Sequence, residues 1–312
     1  MKKSSEQEQS GHMRKLKIEF LLLMCAYGCL GPVVRGISLP SLVIVWARAV
    51  ISAAALLIFL LLFRREGLKD CRAFLGPMVF SGIFLAVDWI GLFASYRYTT
   101  IATTTLCYYI APVLVLLGAA IFLREKLSLR QVICIAVAVV GMGFVSGMVQ
   151  NGLPKLSEMK GVLLALLGAF GYAVVILINK RYPEGDQLKR TLIQLCTAAL
   201  IMTVYVLGTT DLSAYSPGMK DIGLLLLLGV VMTAAAYIAY FGLVVRIPSG
   251  SVAFFSYADP VVAVIISVFF LGEPFSIYTF IGAVMIIGAA IVAEGGFKKI
   301  TRKEEKTKNE RS

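Results

Sequence analysis

The sequence has little of what soluble enzymes depend on. Only 15% of its 312 residues are charged, and its one histidine is His12, in a polar terminal segment. Catalysis or metal binding by histidine is therefore excluded. The six cysteines form no C-x-x-C pair and no metal-ligand spacing. No phosphate-binding G-x-x-x-x-G-K-[ST] loop is present, so ATP hydrolysis by that route is excluded. We therefore predict no metal, no cofactor and no catalytic residue.

Apolar residues take the place of charged ones. Hydrophobic types make up 59% of the chain, whereas a soluble domain is about half apolar and a quarter charged. A water-soluble fold of this size has too little interior to bury so much apolar surface, so lipid is the predicted solvent. The first apolar run, from Ile18 to about Gly36, lacks a small-residue cleavage site and is interpreted as a membrane helix rather than a signal peptide.

The apolar runs predict an all-α membrane protein with ten transmembrane helices. Each run is close to the roughly 20 residues that cross a bilayer. Residues 1–17 and 295–312 are charged tails, predicted to be disordered, and 149–159 form an outer linker. The ten spans are predicted near 18–37, 41–63, 73–96, 100–123, 128–148, 160–179, 189–208, 221–244, 250–271 and 276–294.

The distribution of positive charge predicts how the chain is oriented. The net charge is +12, but no basic stripe with interleaved aromatics indicates nucleic-acid binding. If ten helices alternate from a cytoplasmic N-terminus, 24 of the 30 Lys and Arg residues fall in cytoplasmic segments and five in outer ones, with Arg48 inside a helix. This asymmetry predicts a multi-pass protein of the inner (plasma) membrane with both termini cytoplasmic.

The two halves of the chain share a sequence register. At an offset of 148 residues, Tyr109 matches Tyr257 and Pro112 matches Pro260. At nearby offsets, Gly82 aligns with Gly229, and 26–28 with 169–171. A half of five helices is odd in number, so the second half, 160–294, is predicted to be inverted relative to the first, 18–148. Inverted repeats are a common architecture of alternating-access transporters.

These features resemble the drug/metabolite transporter superfamily, specifically its EamA-type members of ten helices. The resemblance covers about residues 18–294. It implies a two-repeat bundle around a central substrate cavity, and usually the export of amino acids or related metabolites. The residues that carry it are Arg48, Pro112 with Arg124-Glu125-Lys126, and Pro260 with Gly272-Glu273-Pro274.

Three ionisable residues lie inside predicted spans, where such groups are costly and usually functional or paired. Arg48 and Asp88 both lie about 10 Å from the outer end of their helices. They either form an ion pair that holds the first half together or contact substrate. Asp259 lies near the bilayer midplane, and its counterpart in the repeat is Ala111. It is either a cation, proton or substrate-amine site, or a protonated packing residue.

The remaining predictions concern prolines, aromatics and glycines. Pro112 and Pro260 are predicted to be paired hinges. Tyr109, Tyr257, Tyr237 and Trp89 are predicted to line the cavity. Trp89 points about 100° away from Asp88, so only one of the two is expected to face its centre. Other aromatics near the expected cavity are Tyr27, Tyr108, Phe170, Tyr172 and Tyr240, and the glycines expected to permit close helix packing are Gly28, Gly31, Gly82, Gly91, Gly168 and Gly171.

Two further residue pairs are given structural roles. Glu125 and Glu273 are predicted to serve in the turns that follow their helices, ahead of Ser128 and Ser276. The two serines look like N-caps of the fifth and tenth spans.

The predicted function is that of a secondary transporter that exports an amino acid or related compound by alternating access. Its partners are a small-molecule substrate, the lipid bilayer and, in one version, protons; nucleic acid is not among them. The alternatives are a membrane-embedded enzyme acting on lipid and a proton-independent facilitator of another small solute. A chain with both repeats can act as a monomer, and a homodimer is equally compatible with the sequence.

Overall fold

The computed structural model describes residues 2–63, 71–145, 156–271 and 276–309, and within these ranges every regular element is a helix. Short 3₁₀ turns at Leu156–Glu158 and Leu212–Ala214 connect some of them. The helices are α1 Lys2–Gly28, α2 Leu30–Arg35, α3 Ser41–Phe63, α4 Arg72–Ser95, α5 Ile101–Tyr108, α6 Ala111–Phe122, α7 Leu129–Val145, α8 Met159–Arg181, α9 Gln187–Thr209, α10 Met219–Val244, α11 Ser249–Phe255, α12 Ala258–Leu271 and α13 Ile277–Asn309.

Seven helical segments of the described chain are long and apolar enough to cross a membrane. They coincide with the predicted spans one to four and six to eight. The fifth and tenth predicted spans correspond to shorter apolar helices, Leu129–Val145 and Ile277–Ala293, and the ninth is divided between α11 and α12. The structure therefore confirms a multi-helix membrane protein, while the count of ten spans stays a prediction.

The terminal segments are helical rather than disordered, so that prediction was wrong for the residues described. Helix α1 begins at Lys2 and α13 continues to Asn309. Both segments are rich in Glu, Gln, Lys and Arg, which have high helix propensity, and neither contains proline. Each tail therefore extends an adjoining apolar helix.

Two helices are broken at matched places. The chain leaves the helix at Tyr109–Ile110, between α5 and α6, and again at Ser256–Tyr257, between α11 and α12. Proline has no N–H to offer the carbonyl four residues earlier, and its ring clashes with that carbonyl. For Pro112 and Pro260 these carbonyls belong to Tyr108 and Ser256, where the breaks occur. The two prolines, 148 residues apart, therefore explain why the chain breaks at nearly equivalent places in both halves.

Glycines let the helices around these breaks approach closely. A β-carbon at Gly171 of α8 would lie 2.8 Å from the Asp88 nitrogen, and one at Gly28 of α1 would lie 2.7 Å from the Asp259 carbonyl oxygen. Such distances leave no room for a side chain, so the packing role predicted from the sequence is confirmed here. It is confirmed equally for Gly82, Gly91 and Gly168. It was wrong for Gly31, where no atom of the described residues lies within 4 Å of an added β-carbon.

A buried polar network fixes the turn between α8 and α9. Arg190 is fully buried and donates to the Pro183 carbonyl at 2.8 Å and to the Asn179 carbonyl at 3.2 Å. Gln194 accepts hydrogen bonds from Ser81 at 2.7 Å and from Asn179 at 2.9 Å. A cation near the C-terminus of a helix satisfies its last carbonyls. Arg190 therefore satisfies carbonyls at and beyond the end of α8. From the sequence it counts among the cations of a cytoplasmic segment.

Candidate functional site

A cavity of about 280 Å³ lies between the broken helix α5–α6 and helices α1, α3, α4, α8, α10 and α12. This volume is at the small end of the range for ligand sites, about 300–1,000 Å³. It is lined mainly by aromatic rings. Its wall includes most of the residues predicted from the sequence, namely Arg48, Asp88, Trp89, Tyr109, Pro112, Tyr237 and Asp259.

Two carboxylates face this cavity, and both are held by the first helix break. The Tyr108 hydroxyl donates to Asp88 Oδ1 at 2.8 Å, and the Tyr109 hydroxyl donates to Asp259 Oδ2 at 3.2 Å. The two tyrosine rings meet edge to face with centroids 6.1 Å apart. Helix α5 ends at Tyr108, and the side chains of Tyr108 and Tyr109 reach different acids of the cavity wall. The two tyrosines at the break thus bind one acid of each half.

Arg48 lies in the same cavity but forms no direct ion pair with Asp88 within the part of the chain that the structure describes. Its guanidinium instead stacks on the Trp89 ring, 4.6 Å from the ring centroid. Of the two sequence alternatives, the pair that holds the first half together is therefore not formed here. Asp88 is buried and takes its hydrogen bond from Tyr108.

Asp88 and Trp89 both line the cavity, while the expectation that only one of them faces its centre stays a prediction. Their side chains leave the helix about 100° apart. The cavity, however, is bounded by several helices and wraps around this face of α4. The long indole reaches Tyr237 of α10, with ring centroids 5.9 Å apart. A single helix can therefore contribute neighbouring residues to one site.

Tyr257 and Pro260 lie behind the cavity wall rather than in it. Tyr257 is fully buried, stacks on Tyr109 with centroids 6.2 Å apart, and donates to the Tyr109 carbonyl at 3.2 Å. Its position supports the residue that holds Asp259. We therefore assign Tyr257 to the layer that positions the site and not to its lining.

Helix α10 changes its winding where it passes the cavity. Residues Leu227–Ala235 form a π-helical segment, in which the Thr233 hydroxyl donates to the Leu228 carbonyl at 2.8 Å. The segment packs Gly229 against Ile51 of α3. Wider helical turns of this kind occur often at functional sites. Here the segment immediately precedes Tyr237 and Tyr240, both of which line the cavity.

Hydroxyl groups of Tyr, Ser and Thr complete the cavity wall, and only some of them were predicted from the sequence. Tyr172 and Tyr240 are hydrogen-bonded through their hydroxyls at 2.7 Å, and Tyr172 also lies 3.3 Å from Ser256 Oγ. Ser256 and Thr105, also in the wall, were not predicted. The available signal for Ser256 was its position four residues before Pro260, where a helix break exposes the chain. Among the described residues, no group of three His, Cys, Asp or Glu side chains is placed to hold a metal ion.

The halves are also joined beyond the end of α6, close to a hydrogen bond within the second half at the end of α8. Glu125 accepts from the Ser249 hydroxyl at 2.6 Å and from its backbone nitrogen at 3.3 Å, and Lys180 donates to the Ile247 carbonyl. Glu125 thus reaches the first turn of α11 in the other half, rather than serving within its own turn as predicted. Ser128 does cap α7, accepting from the Gln131 nitrogen at 3.3 Å, and Ser276 accepts from the Tyr278 nitrogen at 3.3 Å. Glu273 lies outside the described residues.

Comparison with known proteins places this geometry in context. The model of the EamA-like transporter family matches two segments of the chain, residues 17–147 and 159–294. The chain is 25% identical over 273 residues to the uncharacterized transporter YxxF of Bacillus subtilis, covering 86% of each protein. It is 28% identical over 219 residues to the uncharacterized transporter YetK of the same organism, covering 68% of this chain and 65% of YetK.

A solved crystal structure has a similar fold. It superimposes with a TM-score of 0.76 at 16% sequence identity, covering 89% of this chain and 97% of the other. At that identity the likeness concerns the fold alone.

Proposed function

The chain belongs to the EamA-like transporter family, and from that premise we propose that it is a secondary transporter exporting a small amino-acid-like solute through the cavity between its halves. The observation that supports this most strongly is the placing of Asp88, Asp259 and Arg48 around one cavity. Asp88 and Arg48 lie in helices long and apolar enough to cross a membrane, and Asp259 lies in the predicted ninth span. Charged groups at such depth are costly and usually serve transport or ion binding. The cavity supplies both signs of charge, as a zwitterion requires.

We propose that the two halves are inverted repeats that exchange conformations around this cavity. Support comes from the matched helix breaks, the two segments that match one family model, and the contact between the equivalent residues Tyr109 and Tyr257. Equivalent residues meet where a twofold axis passes between halves. The Glu125–Ser249 bonds are the closed gate at one end, and breaking them opens the route to that side.

Asp259 is our proposed site of proton coupling. With Arg48 charged and both acids ionised, the cavity carries one uncompensated negative charge, which is unfavourable away from water. Either a proton neutralises this charge or an ion pair with a substrate ammonium group stabilises it. Because the two compete for the same carboxylate, outward movement of solute is exchanged for inward movement of protons. Asp259 is the better candidate of the two acids because its counterpart in the first half is Ala111.

The proposed location is the inner (plasma) membrane, with both termini in the cytoplasm. The preponderance of Lys and Arg in the segments assigned to that side supports this orientation. The cavity wall then runs toward the outer face, since it extends along α4 from Asp88 to Tyr96 at the helix end. The Glu125–Ser249 bonds lie on the cytoplasmic side.

Flux into sealed vesicles tests the proposal. Inside-out vesicles containing the protein are offered a panel of labelled amino acids and related metabolites, with and without an acidic interior. We expect uptake of at least one compound, accelerated by the gradient, above vesicles without the protein. Vesicles containing Asp259→Asn should lose the acceleration. The proposal is overturned if no compound of the panel enters faster than in vesicles without the protein.

A further inference from the structure

One guanidinium nitrogen of Arg48 is buried without a partner among the residues described. Arg48 lies in α3, its side chain is part of the cavity wall, and its Nε is buried without a hydrogen-bond acceptor among the residues described. The acid nearest in the wall, Asp88, is bound by Tyr108 instead. Native structures satisfy nearly all buried polar groups, so each one left unsatisfied needs an explanation.

Stacking on Trp89 leaves the donors of Arg48 available. The guanidinium carbon is 4.6 Å from the indole centroid, so one flat face is covered. A guanidinium donates in its own plane, and that fork matches the two oxygens of a carboxylate. The indole thus fixes the orientation of the fork while leaving its edge open to a ligand.

Tyr27 supplies a second unused donor in the same cavity. Its hydroxyl is buried with no partner in the described part of the chain. Its ring is fixed by edge contacts with Tyr237 and Tyr240, at centroid distances of 6.3 and 6.2 Å, and Tyr237 also contacts Trp89. The two orphan donors are therefore connected through one aromatic cluster.

Both acids accept hydrogen bonds from the tyrosines at the first break. The cavity therefore holds two unused donors, on Arg48 and Tyr27, and two carboxylate acceptors. We propose that Arg48 and Tyr27 bind the carboxylate of the transported solute, while the acids take its ammonium group. This rests on the proposed transport function and specifies its substrate as a small zwitterion. A dianion such as phosphate is disfavoured, because two carboxylates share the cavity with a single cation.

The chain provides its own reporter for this site. It has two tryptophans, and Trp46 lies outside the cavity, donating to Thr203 at 2.9 Å. Trp46→Phe leaves Trp89, stacked on Arg48, as the only indole. In detergent, its emission is titrated with alanine, leucine and phenylalanine, with the amide of each, and with each carboxylic acid lacking the amine. Thermal stabilisation by the same compounds provides a second readout of binding.

We expect at least one amino acid to bind at least tenfold more tightly than its amide. Arg48→Gln should weaken binding of the amino acid by at least tenfold and leave the amide unchanged, which removes the preference. Arg48→Lys, which keeps the charge but loses the planar fork, should weaken it severalfold, and Tyr27→Phe about twofold to threefold. Arg97→Gln is the matched control, because Arg97 is exposed at the end of α4 outside the cavity; it should leave binding unchanged.

Several results overturn the assignment. They are equal binding of amino acid and amide by the parent protein, a preference that survives Arg48→Gln, and no carboxylate-dependent change in either readout. If Arg48→Gln does not fold, Arg48→Lys carries the test, and an unchanged preference there contradicts the assignment. The vesicle assay separates the two proposals. Flux of solutes without carboxylate preference refutes this subsite alone, whereas absence of any flux refutes the transport function.

Discussion

The two broken helices share a backbone and differ in chemistry. In the first half, the break after Tyr108 presents two hydroxyls, and the helix resumes at Ala111, which carries no acid. In the second half the equivalent position is Asp259, which faces the cavity. A proline one turn later explains both breaks. The comparison shows that the bend is common to the halves and that the ionisable group belongs to one of them.

The acids are nevertheless held in a reciprocal way. Gly28 of the first half packs on the backbone of Asp259 in the second, and Gly171 of the second half packs on the backbone of Asp88 in the first. The backbone of each acid is therefore packed against a glycine of the opposite half. A movement of one half against the other changes the surroundings of both acids.

The largest effect is expected from a substitution that gives the first break the carboxylate present at the second. Ala111→Asp places a carboxylate at a site that is 1% exposed, and an acid at the centre of a membrane helix costs about 2.5–3.5 kcal/mol. We expect a clear fall in the thermal unfolding temperature in detergent, with Ala111→Ser as the conservative control. An unchanged unfolding temperature shows that the first break already accommodates charge, and the contrast between the halves then disappears.

An intermediate effect is expected from the reciprocal glycines. A β-carbon at Gly171 or Gly28 collides with backbone atoms, and overpacking of this kind costs about 1–3 kcal/mol. Gly171→Ala and Gly28→Ala should each lower the unfolding temperature and reduce flux. Gly31→Ala is the matched control, because nothing lies within 4 Å of its added carbon. If all three variants behave alike, close packing does not position the acids.

The smallest effect is expected from the paired tyrosines. Tyr109→Phe removes a hydrogen bond to the Asp259 carboxylate, whereas Tyr257→Phe removes one to a backbone carbonyl. Hydrogen bonds to charged groups contribute about 1.5–3 kcal/mol and neutral ones about 0.5–1.5 kcal/mol. Initial flux rates should therefore fall severalfold in Tyr109→Phe and less than twofold in Tyr257→Phe. Equal losses in the two variants contradict the distinct roles given to them.

The sequence predicted most of the helices because apolar runs of membrane length dominate it. It also predicted the cavity residues Asp88 and Asp259, since a carboxylate inside such a run is conspicuous. The fates of Arg48 and Glu125 were not predictable in this way. Whether Arg48 meets Asp88 or Trp89, and whether Glu125 stays in its own turn or reaches Ser249, depends on how helices pack across the two halves. Arg190 shows the same limit, because its partners include the backbone carbonyls of Pro183 and Asn179, which no residue type identifies in advance.

The most direct test asks whether Asp259 couples transport to protons without being required for movement of the solute itself. Vesicles containing Asp259→Asn are compared with the parent protein in proton-driven accumulation and in solute exchange without a pH gradient, with the exposed acid Glu184→Gln as control. We predict that Asp259→Asn loses accumulation but retains exchange, since the amide remains polar but no longer takes up a proton. Accumulation with unchanged pH dependence in Asp259→Asn contradicts the account.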